Sequence, residues 1–557
     1  VHNNRIAHSC SLFSFFLIVF VLLGASNSFA QQKKTTEQKL PITIVNNKTF
    51  EAFKSDTATI YKFSGDVQFQ HGTDLLFCDT AYLNPEKNNL EAFGNVKIVQ
   101  TNGTTALSDY LSYSGNIKKA YLSGNVSLTT GKDNLWTEEL DYLLNTKIGN
   151  YYQGGTLQSG NTTVSSNLGT YNAEKKEARF VENVLVNDSA FNIESKDLSY
   201  NTESKMMRFF DSTVVIGKTY VLRTTVGMYD AKNQIAQFIT RSSLLNEEQY
   251  IEGDTLLYNK VNGQGRAIGN VIILDTAQKA VLYCGKAFYN EQKKTLLAIE
   301  KPVLKRIQEN DSFFVRADTF YSAHLAHTYA PAKKPTRKLS KKEQKKYKHL
   351  VADLAATNST ESIADTTSPK YYAGFHHVRI FSDSLQGKCD SICFTGKDSL
   401  MLMMKNPVIW SRKSQISGDT IIAYLKEGKV NKIRIPNAAL IVSRSGPEQA
   451  QLFNQVQGRS LLAYLVNEAL DNAIVKPDAE SIYYPTDESG AYIGASQAQS
   501  ERMKIYFKEG EISKILLEQA VKQTLNPLDK IDLPSMKLSR FKWLENQRPK
   551  NILELFE

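Results

Sequence analysis

The spacing of one residue type constrains this chain more than any other feature. Tyrosine recurs at Tyr113, Tyr142, Tyr171, Tyr200, Tyr229 and Tyr258, every step 29 residues, and seven positions before each stands Ala106, Leu135, Val164, Ile193, Leu222 or Ile251. Two series moving in step mark an internal repeat. Within a unit such as Ile251-Glu252-Gly253-Asp254-Thr255-Leu256-Leu257-Tyr258, apolar or small residues alternate with polar ones. That is the period of a strand with one buried face. Asn172, Asn201, Asp230 and Asn259 follow their tyrosines and open polar turns, since a short amide or carboxylate bonds the backbone two residues on. A returning strand is visible in Gly124-Asn125-Val126-Ser127-Leu128 and Gly269-Asn270-Val271-Ile272-Ile273. The Gly-Asn and Gly-Asp steps fit a bulge.

A single unit of this length cannot bury its apolar face alone, so successive units must stack and share one core. The expected fold is all-β, an elongated stack built from ~29-residue repeats. Apolar content of 41% suits a narrow stack with much surface. The regular block spans 61–330. From 331 to 370 the pattern stops, and this basic, polar stretch reads as a linker or insertion. It resumes over 371–525 with looser spacing, as in Ile416-Ser417-Gly418-Asp419-Thr420-Ile421-Ile422-Ala423-Tyr424, and a Lys-rich tail fills 526–557.

The first thirty residues carry Arg5, an apolar run from Leu12 to Leu23 and a small-residue exit at Ser28-Phe29-Ala30. They read as a cleavable export signal over 1–30, the apolar run being short for a span of ~20 residues. A flexible segment over 31–60 follows. Beyond Cys10 the cysteines are Cys78, Cys284, Cys389 and Cys393. Cys78 and Cys284 sit several units apart and are expected as buried free thiols, and Cys389 and Cys393, four residues apart on one strand, are too distant to bridge without a bend. The formal net charge of +10 is local: between Lys333 and His349 nine Lys or Arg residues face Glu343 alone. Such a run is a solvated insertion or, at Lys341, Lys342, Lys345 and Lys346, a contact to phosphates at a membrane surface or on a glycolipid. A nucleic-acid partner is not expected.

The sequence offers little catalytic chemistry. It has no phosphate-binding loop, dinucleotide fingerprint or Gly-x-Ser-x-Gly nucleophile. His324 and His327 on one side of the basic stretch and His376 and His377 on the other lack partners at ligand spacing. Asp79, Asp109, Asp254, Asp318 and Asp419 share one repeat position and suit a structural turn or edge role. Small residues at Cys78, Ser108, Thr137, Ser166, Ser195, Thr224, Gly253 and Cys284 leave either an inner trough or a slot that facing tyrosines fill. No enzyme, cofactor or metal is expected.

Phe63-Ser64-Gly65-Asp66-Val67, Cys78-Asp79-Thr80-Ala81, Ala92-Phe93-Gly94-Asn95-Val96, Ala106 to Tyr113 and Leu122 to Val126 resemble the OstA-like domain of the LptA-type, organic-solvent-tolerance family. The resemblance implies an antiparallel β-jellyroll, V-shaped in section like a folded taco. Its apolar groove would hold the acyl chains of lipopolysaccharide in the periplasm. Inward positions of such a groove are Val67, Val96, Leu111, Val126, Leu140, Leu198, Leu256 and Val271. The partners implied are lipopolysaccharide, other transport proteins joined by edge-strand addition, and the outer-membrane assembly barrel. Two other classes remain: an exported adhesin or spacer with a filled core, and a polysaccharide-acting β-helix enzyme.

Overall fold

The computed structural model describes residues 40–324 and 369–557, apart from 56–57, 248, 277–278, 308–311, 396–398, 427–428 and 468. The export signal and Lys341, Lys342, Lys345 and Lys346 lie outside the described residues. Antiparallel strands make up about two thirds of the described residues (68%), joined in one hydrogen-bonded sheet.

The sheet is folded along its length. In Ala58–His71 and Asp74–Asn84, residues 61–64 pair with 80–83 and residues 67–71 with 74–78, with the register broken between Ser64 and Val67. The same break recurs between Phe93 and Val96, Ser123 and Val126, Val181 and Val184, Ile268 and Val271, and Phe375 and Val378. Each break carries two consecutive left-handed residues, as at Gly94 (φ 71°) and Asn95 (φ 44°) or Gly124 (φ 76°) and Asn125 (φ 50°). A pair of positive φ values turns the strand out of one layer and into the other. Gly and Asn adopt that conformation at least cost.

Two layers result, here named the A arm and the B arm. In the A arm 67–71, 74–78, 96–99, 105–108, 126–130, 133–137, Gly155–Ser159 and Thr162–Ser166 are successive members. In the B arm 139–143, Ile148–Tyr151, Leu168–Asn172 and 177–181 follow one another. The recurrent tyrosines occupy every second B-arm strand, so one repeat is one strand out and one strand back. Asn172 accepts from the amides of Glu174 and Lys175 at 3.1 and 2.9 Å, and Asn201 from Glu203 and Ser204 at 3.2 and 2.8 Å, which closes the turns at the B-arm tips.

The bend explains two sequence features. Asp79 accepts from Asn95 Nδ2, Asp109 from Asn125 Nδ2 and Asp254 from Asn270 Nδ2, each at 2.8 Å. These carboxylates pin the left-handed residues of the next strand and have no acid-base geometry. The small inward residue serves the same hinge: Ser108, Thr137, Ser166 and Ser195 donate to the carbonyls of Tyr110, Glu139, Leu168 and Asp197, each two residues on. A hydroxyl at that position satisfies a carbonyl left without a ladder partner where the register breaks.

Two segments differ from the sequence reading. Thr43–Asn46 and Thr49–Ser55, in the stretch expected to be flexible, pair with the two halves of Ala58–His71 and form the first edge of the stack. Their pattern is hard to read because they cover an edge, with Phe50 and Phe53 exposed. Across the basic stretch, Thr319–His324 pairs directly with 370–375 and Ser312–Arg316 with 379–381. The ladder therefore runs unbroken from the regular block into the looser one.

The C-terminal tail turns back along the outer face of the A arm. Gln455 donates to the Met536 carbonyl and accepts from the Leu538 amide at 3.0 and 2.9 Å, and Gln415 does the same to Lys542 and Leu544 at 2.7 and 2.8 Å. Each side-chain amide thus acts as a short strand partner for an extended segment. Phe541 and Trp543 cover Leu440, Val442 and Phe453, and Arg548 donates to Gln386. The strap ends with Phe556 edge-on to Tyr283, ring centroids 5.7 Å apart.

Candidate functional site

The inner faces of the two arms meet. Leu128 of the A arm packs beside Leu140 and Gly149 of the B arm, where an added Cβ on Gly149 would lie 3.1 Å from Leu140. Val67, Val96, Leu111, Val126, Leu140, Leu198, Leu256 and Val271 all lie in this one continuous core, each 8% exposed or less. The structure therefore brings these positions together as a packed interior, and none presents a free surface. Tyrosine helps to fill it: Tyr151 lies against Gly155 and Gly169, and its hydroxyl pairs with Ser166 Oγ at 2.7 Å, with burial pushing the phenol up to about 12.

One long side of this interior is the line of bends. The other is a mouth where the A-arm and B-arm tips face each other, crossed by a series of polar latches. Tyr113 meets His71 Nδ1 at 2.6 Å, Tyr142 donates to Gln100 at 2.5 Å, and Tyr171 donates to Asp133 at 3.1 Å. Asp133 also takes a hydrogen bond from Thr202 at 2.6 Å. Lys176 donates to the Thr130 carbonyl and Lys205 to Ser159 Oγ, both at 3.0 Å. Burial holds the phenols of Tyr113, Tyr142 and Tyr171 well above their ordinary value, so they stay protonated donors. Further along, Lys370 pairs with Asp275 at 3.3 Å, Ser414 donates to the Gly510 carbonyl at 2.7 Å, and Tyr483 donates to the Ser513 carbonyl at 3.0 Å.

Other titratable groups make no reactive centre. Cys78, Cys284, Cys389 and Cys393 are free, and burial pushes the first three up to about 12, which keeps them as thiols. His376 and His377 replace the Gly-Asn pair at one bend, with φ of 63° and 49°, and bond Asp390 at 3.1 Å and Asp318 at 2.8 Å. They take the role that Asn95 and Asn125 play elsewhere. His324 lies at the end of a strand, and His327 is outside the described residues. Among the described residues no cluster of three or more His, Cys, Asp or Glu could hold a metal ion. An open cleft of about 720 Å³ lies at the bend, walled by Trp136 and Leu185 and reaching Val126 and Ser166.

The inward positions read from the sequence lie on the buried face, and the latches were missed. Their partners lie 42 residues apart for Tyr113 and Tyr142 but 38 for Tyr171. The lysine at the last position of the B-arm turn was the available signal: Lys118, Lys147, Lys176 and Lys205 recur with the period of the tyrosines and are all left-handed.

Comparison with known proteins finds a family match over part of the chain. Residues 38–197 match the model of the OstA-like protein family. A search of curated proteins finds no match. Among solved structures the chain is similar to LptH of Pseudomonas aeruginosa, described as the LptA-homologous periplasmic component of the lipopolysaccharide transport device. The identity is 10% and the TM-score 0.21, over 26% of this chain and 95% of that one. The WD40 domain of SCAP from fission yeast aligns at 9% identity and a TM-score of 0.10, over 80% and 96%.

Proposed function

Residues 38–197 being OstA-like, we propose that the chain is a lipopolysaccharide-transport-type component that works without covalent chemistry, keeping acyl chains from water between its two arms. The observation that carries this reading is the apolar interior, continuous from Phe63 to Ile512 across one uninterrupted ladder. Each methylene kept from water is worth about 0.8 kcal/mol, so a chain of roughly twelve carbons left exposed would cost about 10 kcal/mol. Apolar side chains between the arms would remove that cost wherever the interior parts to admit a chain. Export to the periplasm and association with the outer membrane belong to the same reading.

The stack ends in open strand edges, Thr49–Ser55 at one end and Glu511–Glu518 and Lys522–Asn526 at the other. Phe50, Phe53, Leu516 and Leu525 stay exposed there, so strand addition by partner transport proteins or by the outer-membrane barrel is the natural joint. Lys341, Lys342, Lys345 and Lys346 would meet phosphates of the lipid or membrane, and neutralising them leaves folding intact in this account.

A second reading, an exported spacer with no lipid, draws support from the tight closure of the interior over most of its length. Titration of the full chain with purified lipopolysaccharide, and with the same polysaccharide after removal of its acyl chains, separates the two. Binding of the acylated form alone supports transport; binding of neither supports the spacer.

A further inference from the structure

The closure is uneven, and the unevenness is local. One hydrogen-bonded row of the A arm can be followed residue by residue: Leu128, Leu135, Leu157, Val164, Val186, Ile193, Val215, Leu222, Leu244, Ile251, Ile273, Leu282, Leu304, Val315, Ile380. All occupy the same depth, so their exposures compare directly. From Leu128 to Ile193 they are 2% exposed or less; Val215, Leu222, Ile273 and Leu282 rise to between 5% and 8%, and Leu244, Ile251 and Leu304 among them are half-buried; Val315 and Ile380 are back to 1% and 0%. The facing row of the B arm loosens over the same window. Tyr142, Tyr171, Tyr200 and Met207 are sealed, whereas Tyr229, Ala236, Tyr258 and Leu296 are half-buried. Met401, Ala423 and Ile433 on the far side are sealed again.

The latches change in the same place. Lys176 and Lys205 bridge the mouth, but the next two residues at that turn position are Gln234 and Gly263, neither long and cationic. The phenol ties end one repeat earlier, since among the described residues the buried Tyr200 hydroxyl already lacks a partner, and within the window Tyr258 turns its hydroxyl to Glu291 on its own arm, so the change at the window itself is the loss of the bridging lysine. The next latch is Lys370 to Asp275. Between the two latched flanks, exposed Lys218, Lys232 and Lys260 stand in the tip turns beside exposed Glu247 and Glu291, of which Glu291 accepts from Tyr258, while the Asp230 carboxylate is engaged by Asn233.

We propose that this window, from Val215 to Leu304, is a lateral port through which an acyl chain of an anionic lipid enters between the arms. The chain lies against Leu244, Ile251, Tyr229 and Tyr258, and the headgroup stays at the rim with Lys218, Lys232 and Lys260. The inference rests on the transport reading and adds where the lipid crosses into the interior. Apolar side chains half in water gain most from a greasy ligand, and three lysines on the rim match a phosphorylated or carboxylated head. The sealed flanks would require the latches to break before an acyl chain could reach the same row.

The test is photocrosslinking with the full chain and purified lipopolysaccharide, using a benzophenone side chain at Leu244 or Ile251 and, in the same row, at Leu128 or Val164. The port predicts about tenfold more crosslinked lipid at the first pair than at the second. It also predicts a clear loss when Lys218→Glu, Lys232→Glu and Lys260→Glu are combined in a variant with unchanged circular dichroism. Equal yields at all four positions would overturn the port and leave the transport reading standing. Crosslinks at none of them, with folding intact, would remove both.

Discussion

The hydroxyl of Tyr142 crosses from one arm to the side-chain oxygen of Gln100 at the tip of the other, 2.5 Å away, with the tyrosine wholly buried. A repeat that sets tyrosine on every second B-arm strand therefore does two things. The ring fills the space between the arms, and the phenol ties the mouth shut wherever the opposite tip offers an acceptor.

Tyr142→Phe keeps the ring and removes the tie. The buried Gln100 oxygen then loses a partner, which costs about 1–3 kcal/mol. Hydrogen exchange should quicken at residues 100–104 and 143–147. Tyr229→Phe, whose hydroxyl has no hydrogen bond among the described residues, should leave exchange and denaturation midpoint unchanged.

The latch at the first edge responds to acid. Burial lowers the His71 pKa below its ordinary value, with Lys118 lowering it further and Asp74 opposing. A group whose folded pKa is depressed contributes stability that is fully present above the unfolded value of about 6.5 and is lost as pH falls through the folded value. Urea midpoints measured across that range should fall towards acid, and His71→Asn should flatten the dependence.

Glycine at the bend is a requirement of backbone and of space. Gly124 has φ 76°, and an added Cβ would lie 2.7 Å from the Asp109 carboxylate. Gly124→Ala should destabilise by about 1–2 kcal/mol from the left-handed conformation alone, with the clash adding to it. Thermal melts of this variant beside Gly160→Ala, also left-handed but with open space around it, isolate the clash.

The strap is held by side-chain amides. Gln415→Ala leaves the Lys542 carbonyl and Leu544 amide without these bonds, and exchange at Leu544 should rise by a factor corresponding to about 1–3 kcal/mol. Deleting 527–557 uncovers Leu440, Val442 and Phe453, and binding of a hydrophobic dye should increase.

Much of this architecture is legible in the sequence because it is local. Alternation around Tyr171 specifies a strand, Asn172 its turn, and Gly94-Asn95 its bend, each within a few residues. Periodicity says which side chains point inward at Leu111 or Leu140 but not whether the facing layer closes on them, so a packed interior and an open trough read alike. The strap is silent for a related reason. Gln415 and Gln455 both pair in register with Val442, and their role exists only once a segment over eighty residues away lies across them.

The central claim is that acyl chains reside between the arms, and native mass spectrometry of the full chain purified from a lipopolysaccharide-producing host tests it most directly. The account predicts a bound population heavier than the bare chain by an acylated glycolipid, reduced when Leu244→Arg and Ile251→Arg are combined. The bare mass alone, from protein that is folded and gently ionised, would contradict it.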